Sequence, residues 1–282
     1  MDISNLQTKS TYIRHRNGKI KTAVQSKAQI VTKLTLIILA LLTIYGFKTF
    51  DYKNISVVVA MGETLNNIKQ MFLGAKLSHF NLQYGFYQVL VTLSLGFLTT
   101  LIGAVIALFL GIFAARNLSN RATSNIIKAV VSFIRAIPTV LWVLIFAVAA
   151  GLGSVAAVIG LTFHTVGYLI KAYSESFEEM DEGVIEALKA SGASFWQIIF
   201  QAVLPSTATS LMAWTFLRFE INFTNAVAMG AAAGAGGIGF ELFMAGGFYY
   251  DLKEVGVITM LILAFAMFLE FSSTKIKNKY IK

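Results

Sequence analysis

The sequence predicts an all-α, polytopic membrane protein with six transmembrane helices. Hydrophobic residues make up 56% of its 282 residues and charged residues only 13%, about half of the charged fraction that soluble domains carry. Six apolar stretches alternate with polar segments, and the first of them is long enough to cross about 30 Å of hydrocarbon. So few charges could not cover the surface of a water-soluble protein of this length, so that class is excluded.

The apolar stretches follow one another with clear breaks between them. The polar segment 1–29 opens without an apolar run, so a cleaved signal peptide is not expected. Pro138 interrupts the third stretch, and Gly151 and Gly153 make a tight turn before the fourth. Between the first two stretches, 57–73 is loosely amphipathic and predicts a surface helix. The six predicted spans are 30–50, 87–115, 128–150, 154–172, 208–229 and 255–271.

The basic residues predict the orientation. The net charge is +9, and the chain has 23 Lys and Arg. With the amino end inside, seventeen of them fall in the predicted inner segments, which is the bias expected of cytoplasmic loops. These segments are 1–33, 116–135, 171–207 and 272–282. We therefore expect a multi-pass protein of the cell membrane, surrounded by lipid, with both termini cytoplasmic. The same spread of charge over four loops, without interleaved aromatic residues, argues against nucleic-acid binding.

No constellation of catalytic or metal-ligating residues is found in the sequence. The three histidines, His15, His79 and His164, fall in a tail, an outer loop and a span, and the chain has no cysteine. Phosphate-binding loops and metalloprotease or hydrolase motifs are missing. We therefore expect no enzyme activity, no metal site and no cofactor in this chain.

The inner segment 173–207 predicts two short helices joined by a turn. Asp181 can cap the first helix, and Gly192 suits the left-handed position at its end. Ser194 and Gln197 form a capping-box pattern for the second helix, which Pro205 is expected to end at the membrane.

The same segment resembles the EAA motif of permease subunits of ABC importers. Glu186, Ala187 and Gly192 are followed at the family's spacing by Leu204 and Pro205. Leu188 and Ala202 depart from the family pattern but remain apolar. The resemblance implies that this segment docks on an ATPase subunit; the alternative is an amphipathic connector resting on lipid headgroups. The implied contact residues are Glu186, Ala187, Leu188, Gly192, Leu204 and Pro205.

Three further stretches resemble the phosphonate branch of this superfamily more than its methionine-type permeases. They are 135–139, 218–222 and 234–241. The resemblance implies a type I ABC importer permease fold and a phosphonate or related small phosphorus oxyanion as solute. It also implies a permease homodimer, a solute-binding protein and ATPase subunits that bind ATP and magnesium. The alternatives are a permease for methionine or phosphate, and a secondary transporter or membrane enzyme.

Polar residues inside predicted spans are the candidates for the translocation path. Arg218 and Glu220 cannot pair with each other on one helix, whereas Arg218 and Asn222 share a face. A charge at this depth is expensive and usually functional or paired, so an oxyanion path and a structural ion pair both remain open. Instead of taking part in transport, His164 is also compatible with a packed, hydrogen-bonded histidine. Arg135 is also compatible with an arginine that extends to the membrane interface. The residues predicted to line the path or a gate are Arg135, Pro138, His164, Arg218, Glu220, Asn222, Gly236 and Gly237.

The glycines after the fifth span match a dinucleotide fingerprint at Gly234, Gly236 and Gly239. A membrane span rather than a strand precedes them, so that reading is rejected. They are expected to allow tight packing at an external gate or a helix break beside the path.

The chain is thus expected to divide into four parts. A basic cytoplasmic segment, 1–29, precedes the first transmembrane helix and an extracytoplasmic segment, 30–86. The core permease domain, 87–271, contains the cytoplasmic coupling loop 173–207. A basic cytoplasmic tail, 272–282, follows.

Overall fold

The computed structural model describes residues 13–14, 20–21, 27–50 and 56–280. It separates into two units, Met1–Met61 and Gly62–Lys282. In the first unit, strands β1 (Ile13–Arg14) and β2 (Ile20–Lys21) pair antiparallel. Helix α1 (Lys27–Thr49) is apolar around its whole circumference and buries no residue within the chain. The basic segment before α1 otherwise lies outside the described residues.

In the described residues of the second unit, the regular secondary structure consists of helices. Helix α2 (Val57–Leu73) begins in the first unit and continues into the second, and its amphipathic pattern agrees with the expected surface helix. The other helices are α3 (Leu82–Ala114), α4 (Arg121–Ala136), α5 (Thr139–Ala150), α6 (Ser154–Glu178), α7 (Glu182–Ala190), α8 (Phe195–Ile198), α9 (Leu204–Ala233), α10 (Gly237–Phe243) and α11 (Leu252–Tyr280). π-helical turns extend α8 over Ile199–Val203 and α10 over Met244–Phe248.

Four helices, α1, α3, α6 and α11, are each long and apolar enough to cross a membrane. Two bent pairs complete the predicted count of six when each pair is taken as one span: α4 with α5, and the run Phe195–Ala233 with Gly237–Phe248. The all-α, multi-span prediction is therefore confirmed, since β1 and β2 hold two residues each.

The third predicted span, 128–150, is not a straight helix. The chain bends by 89° between α4 and α5, with Pro138 as the first residue outside α5. Proline removes a backbone donor and prevents the helix from continuing. Helix α5 has 12 residues, about 18 Å of rise, so it is too short to cross the bilayer alone. Trp142 supplies the hydrogen-bond donor that Pro138 lacks, because its Nε1 donates to the backbone oxygen of Ile134 at 2.9 Å.

The prediction that Pro205 ends the second short helix is wrong. The helical path continues from Phe195 to Ala233, and Pro205 lies in the first turn of α9. A proline is tolerated there because first-turn amides need no intrahelical acceptor. The π-helical turn just before it absorbs the irregularity.

Helices α3, α6 and α9 form the centre of the second unit, where small residues allow close approach. A Cβ atom built on Gly96 of α3 would lie 3.0 Å from the backbone nitrogen of Phe223 on α9. One built on Gly103 would lie 2.6 Å from Thr165 Cγ2 on α6. This close packing brings polar side chains of the three helices together.

Candidate functional site

A buried polar cluster lies where α3, α6 and α9 meet. Arg218 is 2% exposed and Asn222 is fully buried. Arg218 Nε donates to Thr165 Oγ1 at 3.2 Å and Nη2 donates to His164 Nδ1 at 3.0 Å. The guanidinium carbon also lies 5.0 Å from the centre of the Tyr168 ring, which adds a cation–π attraction. The cluster therefore surrounds the cation with neutral groups.

Asn222 ties the three helices together. Its Nδ2 donates to Thr100 Oγ1 of α3 at 2.8 Å and to Thr165 Oγ1 of α6 at 3.0 Å. Thr165 Oγ1 also lies within hydrogen-bond distance of Asn222 Oδ1 and of the Leu161 carbonyl oxygen. Asn222 and Arg218, on one face of α9 as expected, thus share Thr165 as a common partner.

No acidic side chain in the described part of the chain pairs with Arg218. Glu220 lies two residues away on another face of α9 and is half-buried. The ion-pair interpretation of Arg218 is therefore not what the structure shows. A guanidinium has five N–H donors, and the hydrogen bonds formed use only Nε and one donor on Nη2. The other N–H groups of this buried side chain make no hydrogen bond in the described part of the chain.

The contact with Arg218 also determines the tautomer of His164. A guanidinium can only donate, so Nδ1 of His164 must accept in this hydrogen bond. The neutral ring then carries its proton on Nε2. His164 is half-buried, and it contributes one acceptor and one donor at the edge of the cluster.

Glycines form the break between α9 and α10, where the helical path bends by 46°. Gly236 and Gly237 have φ angles of 78° and 72°, a region that side chains rarely adopt. A Cβ atom on Gly237 would lie 2.2 Å from Thr92 Oγ1. That oxygen accepts the hydrogen bond from the backbone N–H of Ile238 at 2.9 Å. The stretch therefore combines a helix break with close packing against α3.

The segment after α6 forms the expected short helix α7 and the turn after it, whereas the second helix, α8, continues without a break into α9. The Asp181 carboxylate accepts the Gly183 N–H at 2.9 Å, and Gly192 has a φ of 83°. Ser194 and Gln197 form the predicted capping box. These caps satisfy backbone N–H groups at the starts of α7 and α8.

Helix α7 has a buried side and an exposed side. Ile185 joins a hydrophobic cluster with Tyr173, Phe177 and Ile198, and Leu188 packs against it. Glu186 and Ala187 remain exposed, as do Gly192 and Pro205, whereas Leu204 packs against the same cluster. The segment is thus anchored by its apolar side and presents Glu186 and Ala187 outward.

Arg135 lies at the carboxyl end of α4, just before the bend at Pro138. Its side chain is exposed, and its stem passes over α6, where a Cβ atom on Gly167 would lie 3.5 Å from Arg135 Cγ. Arg135 is therefore adjacent to the turn of α6 that follows His164.

One group of possible metal ligands lies far from these residues in sequence. Atoms of His79, Asp251 and Glu254 lie within 4.8 Å of one another. Each already has hydrogen-bond partners: Glu254 Oε1 accepts the backbone N–H groups of Ser78 and His79, and His79 Nδ1 lies 2.5 Å from Glu254 Oε2. The arrangement fastens the loop before α3 to the start of α11.

Sequence reasoning identified Arg218, His164 and Asn222, which the structure brings together, but missed Thr100, Thr165 and Tyr168. The two threonines looked like ordinary span residues, because a helical threonine can satisfy its hydroxyl on its own backbone. Their one available signal was small size on faces that also carry glycine. Glu220, Arg135 and Pro138 lie outside the cluster.

The arrangement of the helices in the second unit has a counterpart among solved transporter structures. A structure of the MetNI methionine ABC transporter superposes on 73% of this chain and 100% of that chain, with a TM-score of 0.65 and 23% identity, which shows the fold. The family model for the binding-protein-dependent transport system inner membrane component matches residues 107–280. The chain belongs to this family and is a multi-pass transport subunit of the inner membrane.

Curated relatives extend the likeness. The phosphate-import permease protein PhnE of Mycolicibacterium smegmatis is 31% identical over 178 residues, 62% of this chain and 33% of that protein. The phosphite transport system permease protein PtxC of Stutzerimonas stutzeri is 32% identical over 190 residues, 67% of this chain and 68% of that protein. These relatives confirm the resemblance to the phosphonate branch, although the match covers only a third of the mycobacterial protein.

Proposed function

We propose that this chain is the permease subunit of an ATP-driven importer for a phosphonate or a related small phosphorus oxyanion. Relatives named for phosphate and phosphite support this substrate class. The observation that carries the proposal is the buried guanidinium of Arg218, which has no carboxylate partner in the described part of the chain. A desolvated cation with unused donors favours an anion over a neutral or zwitterionic solute.

The solute path would pass the cluster of Arg218, His164 and Asn222. Charge-assisted hydrogen bonds from Arg218 would replace part of the hydration shell that an oxyanion loses in the membrane. Glu220 and the bend at Pro138 would lie on moving parts of the path, and the break at Gly236 and Gly237 would act as a gate. The cluster would bind the solute only weakly during transport. A solute-binding protein outside the membrane would select the solute.

The energy would come from ATPase subunits that bind ATP and magnesium. The exposed surface of Glu186, Ala187 and Gly192 would dock in the ATPase, and the anchored side of α7 would carry its motion into α6 and α9. Two copies of the permease, each with both termini cytoplasmic, would form the path. ATP binding would open it outward, and hydrolysis would reset it.

Growth and uptake test the substrate. We expect cells with this gene, but not cells without it, to grow on a phosphonate or phosphite as the only phosphorus source. In proteoliposomes containing the complex, uptake should depend on ATP. Arg218→Gln should lower uptake by at least about tenfold, the loss of one charge-assisted hydrogen-bond pair. Arg121→Gln, which removes an exposed charge from α4, should leave uptake unchanged.

Other outcomes would separate the alternatives. Uptake of methionine but of no phosphorus oxyanion would indicate a methionine permease instead. Uptake that persists without ATP would indicate a secondary transporter.

Co-purification with the ATPase tests the coupling segment. Gly192→Trp should abolish binding of the ATPase, because it adds bulk and backbone strain to the proposed contact. Gly234→Trp is the matched control, since Gly234 also has a positive φ, 61°, and open space around it. Equal ATPase binding by the two variants would refute the coupling role.

A further inference from the structure

A polar cavity of about 340 Å³ lies between α4 and α6, at the end of the bundle that carries α7. Its lining contains four basic and two acidic side chains: Arg116, Lys128, Arg135, Lys171, Glu175 and Glu178. The lining therefore carries a net charge of +2. A concave site with this excess of cations attracts small anions.

The cavity walls are built from two helical stripes. Lys128, Ser132 and Arg135 follow one another on one face of α4 at intervals of four and three residues, which is the spacing of neighbours on a helix surface. On α6, Lys171 and Glu175 continue at the same spacing from His164. The neighbouring face of α6 at this end, including Ala172, Tyr173 and Ser176, is buried in the bundle. The stripe is thus the side of α6 left open to solute.

The two acidic side chains of the cavity pair with its two lysines, and Glu178 also accepts the backbone N–H of Arg116 at 2.8 Å. Lys128 Nζ lies 2.6 Å from Glu178 Oε1, and Lys171 Nζ lies 2.6 Å from Glu175 Oε1. In the described part of the chain, the guanidinium groups of Arg116 and Arg135 have no hydrogen-bond or ion-pair partner. Arginine forks match the geometry of phosphorus oxyanions, so the cavity offers a bidentate donor that its own acids do not occupy.

The cavity and the polar cluster of the membrane core lie along the same face of α6. Arg218 contacts His164 on α6, Gly167 follows one turn later beneath the stem of Arg135, and Lys171 follows one turn after that. A single face of α6 therefore connects the buried guanidinium with the cavity beside the coupling segment.

We propose that this cavity is a second binding station for a tetrahedral phosphorus oxyanion, with Arg135 as its principal ligand. The assignment as a station for transported solute rests on the proposed function. The anion would pass from Arg218 along α6 to Arg135, and would leave the protein beside the ATPase. The same chemistry could bind the phosphate of a lipid headgroup, so the experiment must separate the two sources.

Binding of radiolabelled inorganic phosphate to the nucleotide-free permease–ATPase complex tests the station. In phosphatidylcholine nanodiscs, Arg135→Gln should weaken the apparent affinity at least about tenfold, the equivalent of a lost bidentate contact. Arg135→Lys should lose less, and Arg121→Gln, which removes a charge from the same helix outside the cavity, should bind as the wild type does. Phosphate held by the ATPase contributes equally to all variants.

Unchanged affinity in Arg135→Gln, or an equal loss in Arg121→Gln, would overturn the proposal. If phosphatidylglycerol in the nanodiscs displaces labelled phosphate from the wild type, and the purified wild type but not Arg135→Gln retains that lipid, the site is real and its occupant is a headgroup. The two proposals fail in different measurements. Normal uptake by Arg218→Gln would contradict the proposed function, whereas unchanged phosphate binding by Arg135→Gln would contradict only the second station.

Discussion

Arg218 is held in the middle of α9 by a histidine, a threonine and a tyrosine ring rather than by a carboxylate. The sequence could place the arginine in a span and exclude Glu220 as its partner. It could not identify these neighbours, because they come from α6, 50 or more residues earlier. The absence of a paired acid depends on how α6 and α9 pack, which only the folded structure shows.

The Asn222 side chain should matter for stability as well as for position. Asn222→Ala removes the donors to Thr100 and Thr165, and should destabilise the protein by about 1 kcal/mol, since interhelical hydrogen bonds in membranes average about 0.6 kcal/mol each. The measurement is thermal unfolding of the purified complex. Asn225→Ala is the control, since Asn225 is only half-buried and has no side-chain hydrogen bond in the described part of the chain. Equal melting temperatures for the two variants would contradict this role.

The Asp251 carboxyl should make stability depend on pH. The hydrogen bond from Ser78 Oγ, at 2.7 Å, and those from two backbone N–H groups lower its pKa below the ordinary value of 3.8. A lowered pKa in the folded state stabilises the fold above the unfolded pKa, and this contribution is lost as the pH falls through the folded pKa.

Ser78→Ala should therefore be less stable than the wild type at neutral pH, and the difference should shrink as the pH falls below 3.8. Melting curves across this range measure it. Ser119→Ala, which removes a hydroxyl beyond the opposite end of α3 from Ser78, should show no such trend. A difference that stays constant with pH would refute the linkage.

At the scale of elements, the bend between α4 and α5 shows where sequence reasoning stops. Pro138 predicted an interruption, and the caps at Asp181, Gly192 and Ser194 were predicted correctly because they depend on local geometry. The 89° angle does not follow from the proline alone, which breaks a helix without setting the new direction. The amphipathic α4 sets it, because its apolar face packs along α3 and α6.

Trp142 should stabilise that bend. Trp142→Phe keeps an aromatic ring but leaves the Ile134 carbonyl without its donor, a loss of about 1–2 kcal/mol for a buried acceptor. Thermal unfolding checks the prediction against Trp214→Phe, because Trp214 is 36% exposed and makes no hydrogen bond through its indole in the described part of the chain. The bend needs another explanation if both variants melt alike.

At the scale of the whole molecule, the basic residues predict which end of the bundle faces the cytoplasm. The chain has no cysteine, so single cysteines report directly on topology. Ser191→Cys and Lys253→Cys are both exposed positions, one beside α7 and one at the start of α11. In intact cells, a membrane-impermeant maleimide should label Lys253→Cys and not Ser191→Cys, and inverted vesicles should reverse the pattern. Labelling of Ser191→Cys from outside would reverse the proposed orientation and remove the coupling role.

The sequence by itself determined the class of protein, the order of its apolar stretches and the exposed, capped segment after α6. Those properties depend on composition and on contacts between residues a few positions apart, and both can be read from the amino-acid sequence. Only the tertiary structure decided that Arg218 has no acidic partner, that Thr100 and Thr165 complete its cluster, and that Arg135 and Lys171 border one cavity. The physical reason is that burial and pairing in a bundle arise from close approach between α3, α4, α6 and α9, and helical periodicity does not specify which faces of different helices meet.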